Sequence, residues 1–283
     1  MYSVLAGALA LLAILLAWPV PQALAGARWV TRAPRMAVCL WQTIGLAGGV
    51  SAIAALLLLG FAPLGRAWTL LNLAALVLAA LLFSWLTGVL ITSAVRIERD
   101  LRRQRAAVDL LTSPDVDGVL VLEHPEPVAY CVPGPHPRIV VTAGAIAALP
   151  PDELAALLAH ERAHAQGRHE LVIQPFVAWQ TALPFLAPAR WATAAVADLV
   201  ELLADDAAAE ATSRMAVARA LARVGAQRSP AGGVRTASNS VLSRVQRMSA
   251  PLPDRTAGTV GTVAGAGPGA AAAELRAADR AGL

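Results

Sequence analysis

The 283-residue chain has no lysine, only two cysteines, and few charged residues of either sign, which together make up 15% of the sequence. Soluble domains average about a quarter charged residues, so this composition is too apolar for an ordinary water-soluble protein. Two cysteines far apart argue against a disulfide framework and exclude a CxxC zinc knuckle. All 23 basic residues are arginines, scattered or beside apolar blocks, so we expect no nucleic-acid partner despite the net charge of +4.

Three long stretches without a charged residue occupy the first third of the chain. They are residues 1–27, 36–65 and 67–95, and each exceeds the ~20 apolar residues that cross a bilayer. A charge at the centre of a membrane helix costs about 2.5–3.5 kcal/mol, so its absence favours three transmembrane helices over buried helices of a soluble protein. The first stretch has an alternative as a cleaved signal peptide, but positive charge follows it instead of preceding it.

The arginines also set the expected orientation. Three lie in the first connection, one lies in the second, and five follow the third stretch between residues 96 and 105. Because positive residues stay on the cytoplasmic side, the pattern predicts a multi-pass cell-membrane protein with an external N-terminus. Everything after residue 95 should begin in the cytoplasm. Residues 96–105 should form a helix beside anionic lipid headgroups.

The chain changes character after residue 112. Two short β-type runs, residues 118–123 and 138–143, are separated by prolines and predict a small two- or three-stranded sheet. A helix should then begin near Pro151, where proline and two acidic residues suit a first turn. Residues 171–189 form a fourth apolar stretch, interrupted by glutamine and proline, that crosses, enters or lies along the bilayer. The composition from residue 229 onward predicts a disordered tail.

The informative motif is HExxH at residues 160–164. His160 and His164 are four apart, so on a helix they project from one face and can bind one tetrahedral Zn²⁺. Glu161 is rotated by about 100° from His160, so it can lie beside the metal and act as a general base on water. The plainer alternative is a helix with two surface histidines.

Two histidines leave one protein ligand to be found. The carboxylates downstream of the motif are Glu170, Asp198, Glu201, Asp205, Asp206 and Glu210. Glu201 and Asp205 are four apart on a very apolar helix, where buried carboxylates are costly without partners. One of the pair can be a metal ligand and the other an acceptor for a ligand histidine N–H. A solvated acidic face is the alternative.

HExxH followed across an apolar insert by Glu201-Leu202-Leu203-Ala204-Asp205 resembles the integral-membrane gluzincins, which pair HExxH with ExxxD. The chain is most similar to the BlaR/MecR-type membrane metallopeptidases and is also similar to the HtpX-like and CAAX-prenyl-protease group. The resemblance covers about residues 1–210. It implies that Glu201 is the third zinc ligand and that Asp205 supports the site. It also implies that the strand at residues 130–132 or 139–142 binds substrate backbone by strand addition.

The sequence departs from this family in two respects. The β-lactam receptors carry a large extracellular sensor domain after the protease, whereas this chain continues into low-complexity sequence, so we expect no antibiotic sensing. No residue that would stabilise an oxyanion is identified by a motif. The candidates are Arg162, His169 and Tyr130.

The sequence therefore predicts a mainly α protein. Three transmembrane helices (1–95) precede a small α+β gluzincin-like zinc protease domain (96–228), which includes a membrane-associated segment (171–197) and is followed by a disordered tail (229–283).

The expected function is a zinc endopeptidase that cleaves a protein or peptide on the cytoplasmic side, such as a transcriptional repressor. The alternatives are HtpX-like quality control of membrane proteins and a non-catalytic scaffold or receptor. A channel would need more polar residues in the spans, and the sequence does not set the oligomeric state.

Overall fold

The structure is a computed structural model that describes residues 2–27, 29–62, 69–114, 119–227 and 235–250. Within these residues the chain forms ten helices and one four-stranded sheet. The predicted fold, mainly helical with a small sheet after three apolar N-terminal helices, is confirmed.

Four helices build the N-terminal region: α1 (Tyr2–Ala17), α2 (Pro19–Ala25), α3 (Pro34–Phe61) and α4 (Leu70–Leu111). The segments Tyr2–Ala25, Pro34–Phe61 and Leu70–Leu111 are long and apolar enough to cross a membrane, as the sequence predicts. Prolines stand in the first turn of α2 and α3, where a missing backbone N–H costs nothing. Arg28 and Arg66, which contribute to the predicted orientation, lie outside the described residues.

Helix α4 joins two predicted elements. The third apolar stretch and the charged helix at 96–105 form one helix of 42 residues, about 63 Å long at 1.5 Å per residue. A hydrocarbon core is ~30 Å thick, so the charged end of α4 extends beyond the part that a bilayer would cover. There Arg105 donates through Nε to the carbonyl oxygen of Pro133 at 2.8 Å, which ties α4 to the sheet.

A buried amide holds the end of α3 against the start of α4. Asn72 is 1% exposed, and its Nδ2 donates to the carbonyl oxygens of Leu59 at 2.9 Å and Ala62 at 2.8 Å. The last carbonyls of a helix have no partner within that helix, so this side chain satisfies groups that would otherwise be unpaired away from water. Asn72 also forms a capping box with Thr69 at the start of α4.

The sheet contains strands β1 (Thr112–Pro114), β2 (Val119–Leu122), β3 (Ala129–Val132) and β4 (Arg138–Thr142), in the order β1-β2-β4-β3. β2 and β4 are parallel, and the other two pairs are antiparallel. The prediction of two or three strands is therefore wrong by at least one strand. The missed strand, β1, continues directly from α4 and is only three residues long, so it has no run of β-type residues to signal it.

Six helices complete the described chain: α5 (Ala143–Ala148), α6 (Pro151–Gly167), α7 (His169–Ala182), α8 (Ala187–Ala211), α9 (Arg214–Gln227) and α10 (Arg235–Ser249). The predicted disordered tail is wrong for α10. One face of α10 is buried: Met248 is 1% exposed in a cluster with Ala156 and Ala208, and the Arg244 side chain is 11% exposed. The rest of the predicted tail lies outside the described residues.

The fourth apolar stretch forms α7 and the start of α8. Helix α7 has 14 residues and is about 21 Å long, shorter than the ~30 Å hydrocarbon core. It packs on α3: Gln42 donates through Nε2 to the carbonyl oxygen of Val172 at 2.8 Å. The Trp179 ring lies so close to Gly45 that a Cβ there would come within 1.6 Å of the ring. The insert thus connects the N-terminal helices to α8.

Candidate active site

Helices α6 and α8 bring three side chains of metal-binding type together at one place, which we call the metal point. The HExxH motif lies on α6, so His160 and His164 share a face, as predicted. Their Nε2 atoms are 3.1 Å apart. Glu201 on α8 places Oε2 3.5 Å from Nε2 of His160 and Oε1 3.4 Å from Nε2 of His164. Among the described residues these three are the group of His, Cys, Asp and Glu side chains that could hold a metal ion.

The spacing of these atoms fits a metal ion. Nitrogen and oxygen ligands lie about 2.0–2.1 Å from a tetrahedral Zn²⁺, so any two of them are about 3.3 Å apart. The two Nε2 atoms are 3.1 Å apart, and each of them has one carboxylate oxygen of Glu201 at 3.4 or 3.5 Å, close to that value. Two imidazoles and a carboxylate also match the donor set of catalytic sites that leave one position open.

Asp205 lies behind the first histidine. Its side chain is 0% exposed, and Oδ1 is 3.0 Å from Nδ1 of His160, on the side of the ring away from Glu201. A carboxylate at this nitrogen fixes the orientation of the ring and leaves Nε2 free to bind a metal. This is the contact that the i, i+4 spacing of Glu201 and Asp205 suggests, with Glu201 facing the metal point and Asp205 facing the ring.

Arg244 on α10 is the residue of this site that the sequence reasoning missed. It donates through Nε and Nη2 to the two carboxylate oxygens of Asp205, both at 2.7 Å. Its Nη1 lies 2.8 Å from Oε2 of Glu201. The available signal was the helical spacing of Val241, Val245 and Met248, which marks an apolar face next to Arg244 inside a segment whose overall composition is polar.

Burial and opposite charge act against each other in this cluster. Burial lowers the pKa of His160, but the carboxylates of Asp205 and Glu201 outweigh it and raise that pKa to about 9. Burial, with the charge of His160 nearby, lowers the pKa of His164 to about 4. Burial raises the pKa of Glu201, but His160 and Arg244 outweigh it and lower that pKa to about 2. Glu201 is therefore ionised at neutral pH and able to bind a cation.

A third histidine contacts His164. Nδ1 of His169 is 3.0 Å from Nδ1 of His164, and His169 is 8% exposed. The chain reverses between α6 and α7 at Arg168, which has φ 46° in the left-handed region and so turns the first residue of α7 back onto α6. A Cβ at Gly167 would lie 2.4 Å from Nε2 of His169, so the small residue makes room for this ring.

β3 lies next to α6 at one edge of the sheet. The two elements contact each other, and within the described chain β3 pairs with β4 alone. Glu161 is half-buried on α6. Its negative charge adds to the raised pKa of His160 and to that of Cys131 on β3, which burial, as the larger cause, raises to about 11. The helix that carries the HExxH motif thus packs against an edge strand.

Of the three oxyanion candidates, His169 is the one that contacts a residue of the metal-compatible group. Tyr130 packs with the cluster of Val108, Val132 and Val140, on the face of the sheet that contacts α4. Strand alternation puts its neighbour Cys131 on the opposite face. Arg162 is exposed on α6.

The alternative third ligands lie elsewhere. Glu170 and Glu210 do not belong to the metal-compatible group within the described residues. Asp206 is engaged by Arg247 of α10 at 2.7 and 2.8 Å. Asp198, whose pKa is raised by burial and by the charge of Glu201, does not belong to that group either. Of the carboxylates left open by the sequence, Glu201 is the one that meets both histidines.

An HExxH helix whose histidines meet a downstream glutamate, following three helices able to cross a bilayer, defines a membrane metallopeptidase as the class of protein. Comparison with family profiles agrees with this class. Peptidase family M48 matches residues 93–250, more than half of the chain, and the chain belongs to this family. The match does not confirm the more specific resemblance to BlaR/MecR-type enzymes. Comparison with curated proteins and with solved structures finds no match.

The family match also covers elements on both sides of the motif. It begins within α4 and ends after α10, so it includes Arg244, which lies beyond the predicted end of the protease domain at residue 228. The helix that supplies Arg244 is thus part of the peptidase region by sequence as well as by contact.

Proposed function

We propose that the protein is a zinc endopeptidase in which His160, His164 and Glu201 bind the metal. The observation that carries this proposal is the convergence of two Nε2 atoms and one carboxylate at separations of 3.1–3.5 Å. Zinc is the metal of choice for two imidazoles and one carboxylate with a free fourth position. A scaffold that had lost catalysis would be expected to lack one of these groups, and all of them are present.

Each protein group has a distinct task in the proposed hydrolysis. Bound zinc supplies Lewis acidity, which polarises the scissile carbonyl and eases deprotonation of water. Glu161 takes a proton from the attacking water and delivers it to the leaving amine. Asp205 and His169 orient the rings of His160 and His164 through their Nδ1 atoms. Arg244 holds both Asp205 and Glu201 in place.

The substrate backbone is proposed to pair with β3. The sequence leaves residues 130–132 and 139–142 as alternatives, and the sheet favours the first of them. β4 lies between β2 and β3, so its backbone groups are occupied on both sides. β3 contacts α6 and has the edge position that strand addition requires.

The site is proposed to face the cytoplasm. Five arginines occupy residues 96–105 on the charged end of α4, and the same helix runs into β1 of the sheet. Because arginine opposes translocation, this end of α4 and the domain attached to it belong on the inner side. A cytoplasmic regulator such as a transcriptional repressor is the proposed substrate. Quality control of membrane proteins in the manner of HtpX-like enzymes is the alternative.

The decisive test of catalysis is Glu161→Gln in the full-length protein. The change keeps the size of the side chain but removes its basicity, so zinc should remain and proteolysis should fall at least ~100-fold. Cells that express the wild type or the variant are compared by mass spectrometry of new protein N-termini. New termini in one cytoplasmic protein support a regulator, and termini in many damaged membrane proteins support quality control. Equal cleavage by both forms would overturn the mechanism.

Sidedness is tested separately with reporter fusions. Fusions after Arg35, after Arg105 and at Leu149 should report the cytoplasm, and a fusion near Arg66 should report the outside. An external signal at Leu149 with intact proteolysis would contradict the proposed side of the membrane while leaving the chemistry standing.

A further inference from the structure

An apolar cavity lies among the N-terminal helices, and none of the metal-site residues lines it. Its volume is about 330 Å³, and its walls come from α1, α2, α3, α4, α7, α8 and the connection between α7 and α8. Trp41 and Trp179 form two of the larger walls. All lining residues belong to the described part of the chain, and none of them carries a charge.

Two glycines on α3 keep this cavity open. A Cβ at Gly48 would meet Cβ of Leu16 at 3.5 Å, an ordinary contact, and a Cβ at Gly49 would have nothing within 4 Å. Gly45, one turn away, is different because the Trp179 ring fills the space beside it. Glycine is a poor helix former, so Gly49, which faces unfilled space, weakens α3 without any packing in return from the protein itself.

We propose that this cavity binds the hydrocarbon chain of a membrane lipid. Most lining residues come from segments long and apolar enough to cross a bilayer, and the others come from α7, α8 and the connection between them. Acyl chains are the medium around those segments. An uncharged wall makes dispersion contacts with an acyl chain and keeps that chain away from polar surroundings. The same wall has no charged group that would bind a headgroup. The bound group is therefore the chain, and the polar head remains outside.

The size of the cavity matches one acyl chain. A dry apolar cavity of roughly 150 Å³ holds one benzene ring, so 330 Å³ is enough for about twelve carbon atoms. One lipid chain therefore fills the cavity.

A chain in this position would support the helices that carry the active site. Trp179 lies on α7, which begins with His169. Ala192 lies on α8, which also carries Glu201 and Asp205. Occupancy of the cavity would thus hold α7 and α8 against α3, without contact with the metal point.

The experiment uses the full-length protein in nanodiscs of phosphatidylcholine that carries a photoactivatable diazirine near the end of one acyl chain. After irradiation, labelled residues are located by mass spectrometry. The proposal predicts labels on lining residues of α3 and α8, such as Ala52 and Ala192. Gly49→Leu, which places a side chain in the open space, should abolish these labels. Gly7→Leu is the matched control, because Gly7 is exposed on α1 outside the cavity, and it should retain them.

A second measurement covers the case in which Gly49→Leu alters the fold. Lipid returned to the detergent-purified wild type should raise its melting temperature, because a ligand that binds only the folded state stabilises it. Gly48→Leu should lower that gain, and Gly7→Leu should keep it. Labels confined to outward-facing residues, or lining labels that persist in both cavity-filling variants, would overturn the proposal. Neither readout depends on proteolysis.

Discussion

The N-terminal helices and the peptidase site both bury polar side chains, but of different kinds. In the helical region they are neutral amides: Asn72, which is buried, donates to the end of α3, and Gln42, which is half-buried, donates to a carbonyl of α7. In the site they are charged: Asp205 is fully buried, and Arg244 is bound to it through two hydrogen bonds. The amides satisfy backbone groups of neighbouring helices, whereas the charges gather around a single point.

This difference shows which contacts serve folding and which serve chemistry. The amide of Asn72 is fully used, because Nδ2 donates to two carbonyls and Oδ1 accepts from Thr69. The charged cluster is not: after Asp205 and Arg244 are paired, the two Nε2 atoms of His160 and His164 and the carboxylate of Glu201 still face one another. Buried charges are costly unless they are paired, so a cluster of them needs a reason. We infer that the reason is the function of His160, His164 and Glu201, which face one another in this cluster.

The largest expected effect is that of Arg244→Ala. It leaves Asp205 buried without its cation, and breaking a buried pair from one side costs about 3–5 kcal/mol of unfolding free energy. The matched control is Arg247→Ala, because Arg247 makes the same two-bond contact to Asp206 between the same two helices but with both side chains partly exposed. That pair should contribute about 0–1 kcal/mol.

Denaturant unfolding of both variants in detergent measures the two costs, and metal analysis measures zinc per folded chain. The account predicts that Arg244→Ala also loses zinc, because Glu201 loses a neighbour that holds it in place. Equal destabilisation by the two arginine variants would show that burial does not distinguish the two pairs.

Asn72→Ala tests the contribution of a buried neutral amide to the stability of the N-terminal helices. It removes two hydrogen bonds to buried carbonyls, so we expect a loss of about 1–3 kcal/mol. Zinc content per folded chain should not change, since Asn72 is not part of the site. Thr92→Ala on the same helix is the control, because the Thr92 hydroxyl bonds to carbonyls of its own helix and is exposed. Zinc loss in Asn72→Ala would mean that the two regions are not energetically separate.

A smaller effect is expected for His169→Ala. Removing a partner that orients a ligand histidine lowers metal affinity by about 10–100-fold. His124→Ala is the control, since His124 is exposed and its Nδ1 accepts a hydrogen bond from the backbone of Glu126. Competition with a zinc chelator of known affinity measures both variants. Unchanged affinity in His169→Ala would show that the 3.0 Å contact with His164 does not help to orient that ring for a metal.

The sequence predicts well where one physical constraint dominates. Uninterrupted apolar length is enough to locate the three candidate spans, because residues 1–27, 36–65 and 67–95 contain no charged residue. The spacing of His160 and His164 is enough to place both rings on one helix face. The i, i+4 spacing of Glu201 and Asp205 indicates that the pair acts together, although it leaves open which of the two faces the metal point.

The parts that the sequence did not predict depend on tertiary contact. β1 is too short to show alternation, and it becomes a strand because it pairs with β2. Helix α10 is polar in composition, and its partners Asp205 and Glu201 lie about forty positions earlier in the chain. The contact between His164 and His169 depends on the left-handed turn at Arg168, a residue type that does not usually mark such a turn.

The central claim is that His160, His164 and Glu201 together bind one metal ion. Elemental analysis of the purified full-length protein tests it most directly. The account predicts about one Zn²⁺ per wild-type chain, little in the double variant His160→Ala/His164→Ala, and a strong reduction in Glu201→Ala. The double variant His124→Ala/His136→Ala, which removes two histidines outside the site, should keep the wild-type value. Unchanged zinc in His160→Ala/His164→Ala would contradict the account.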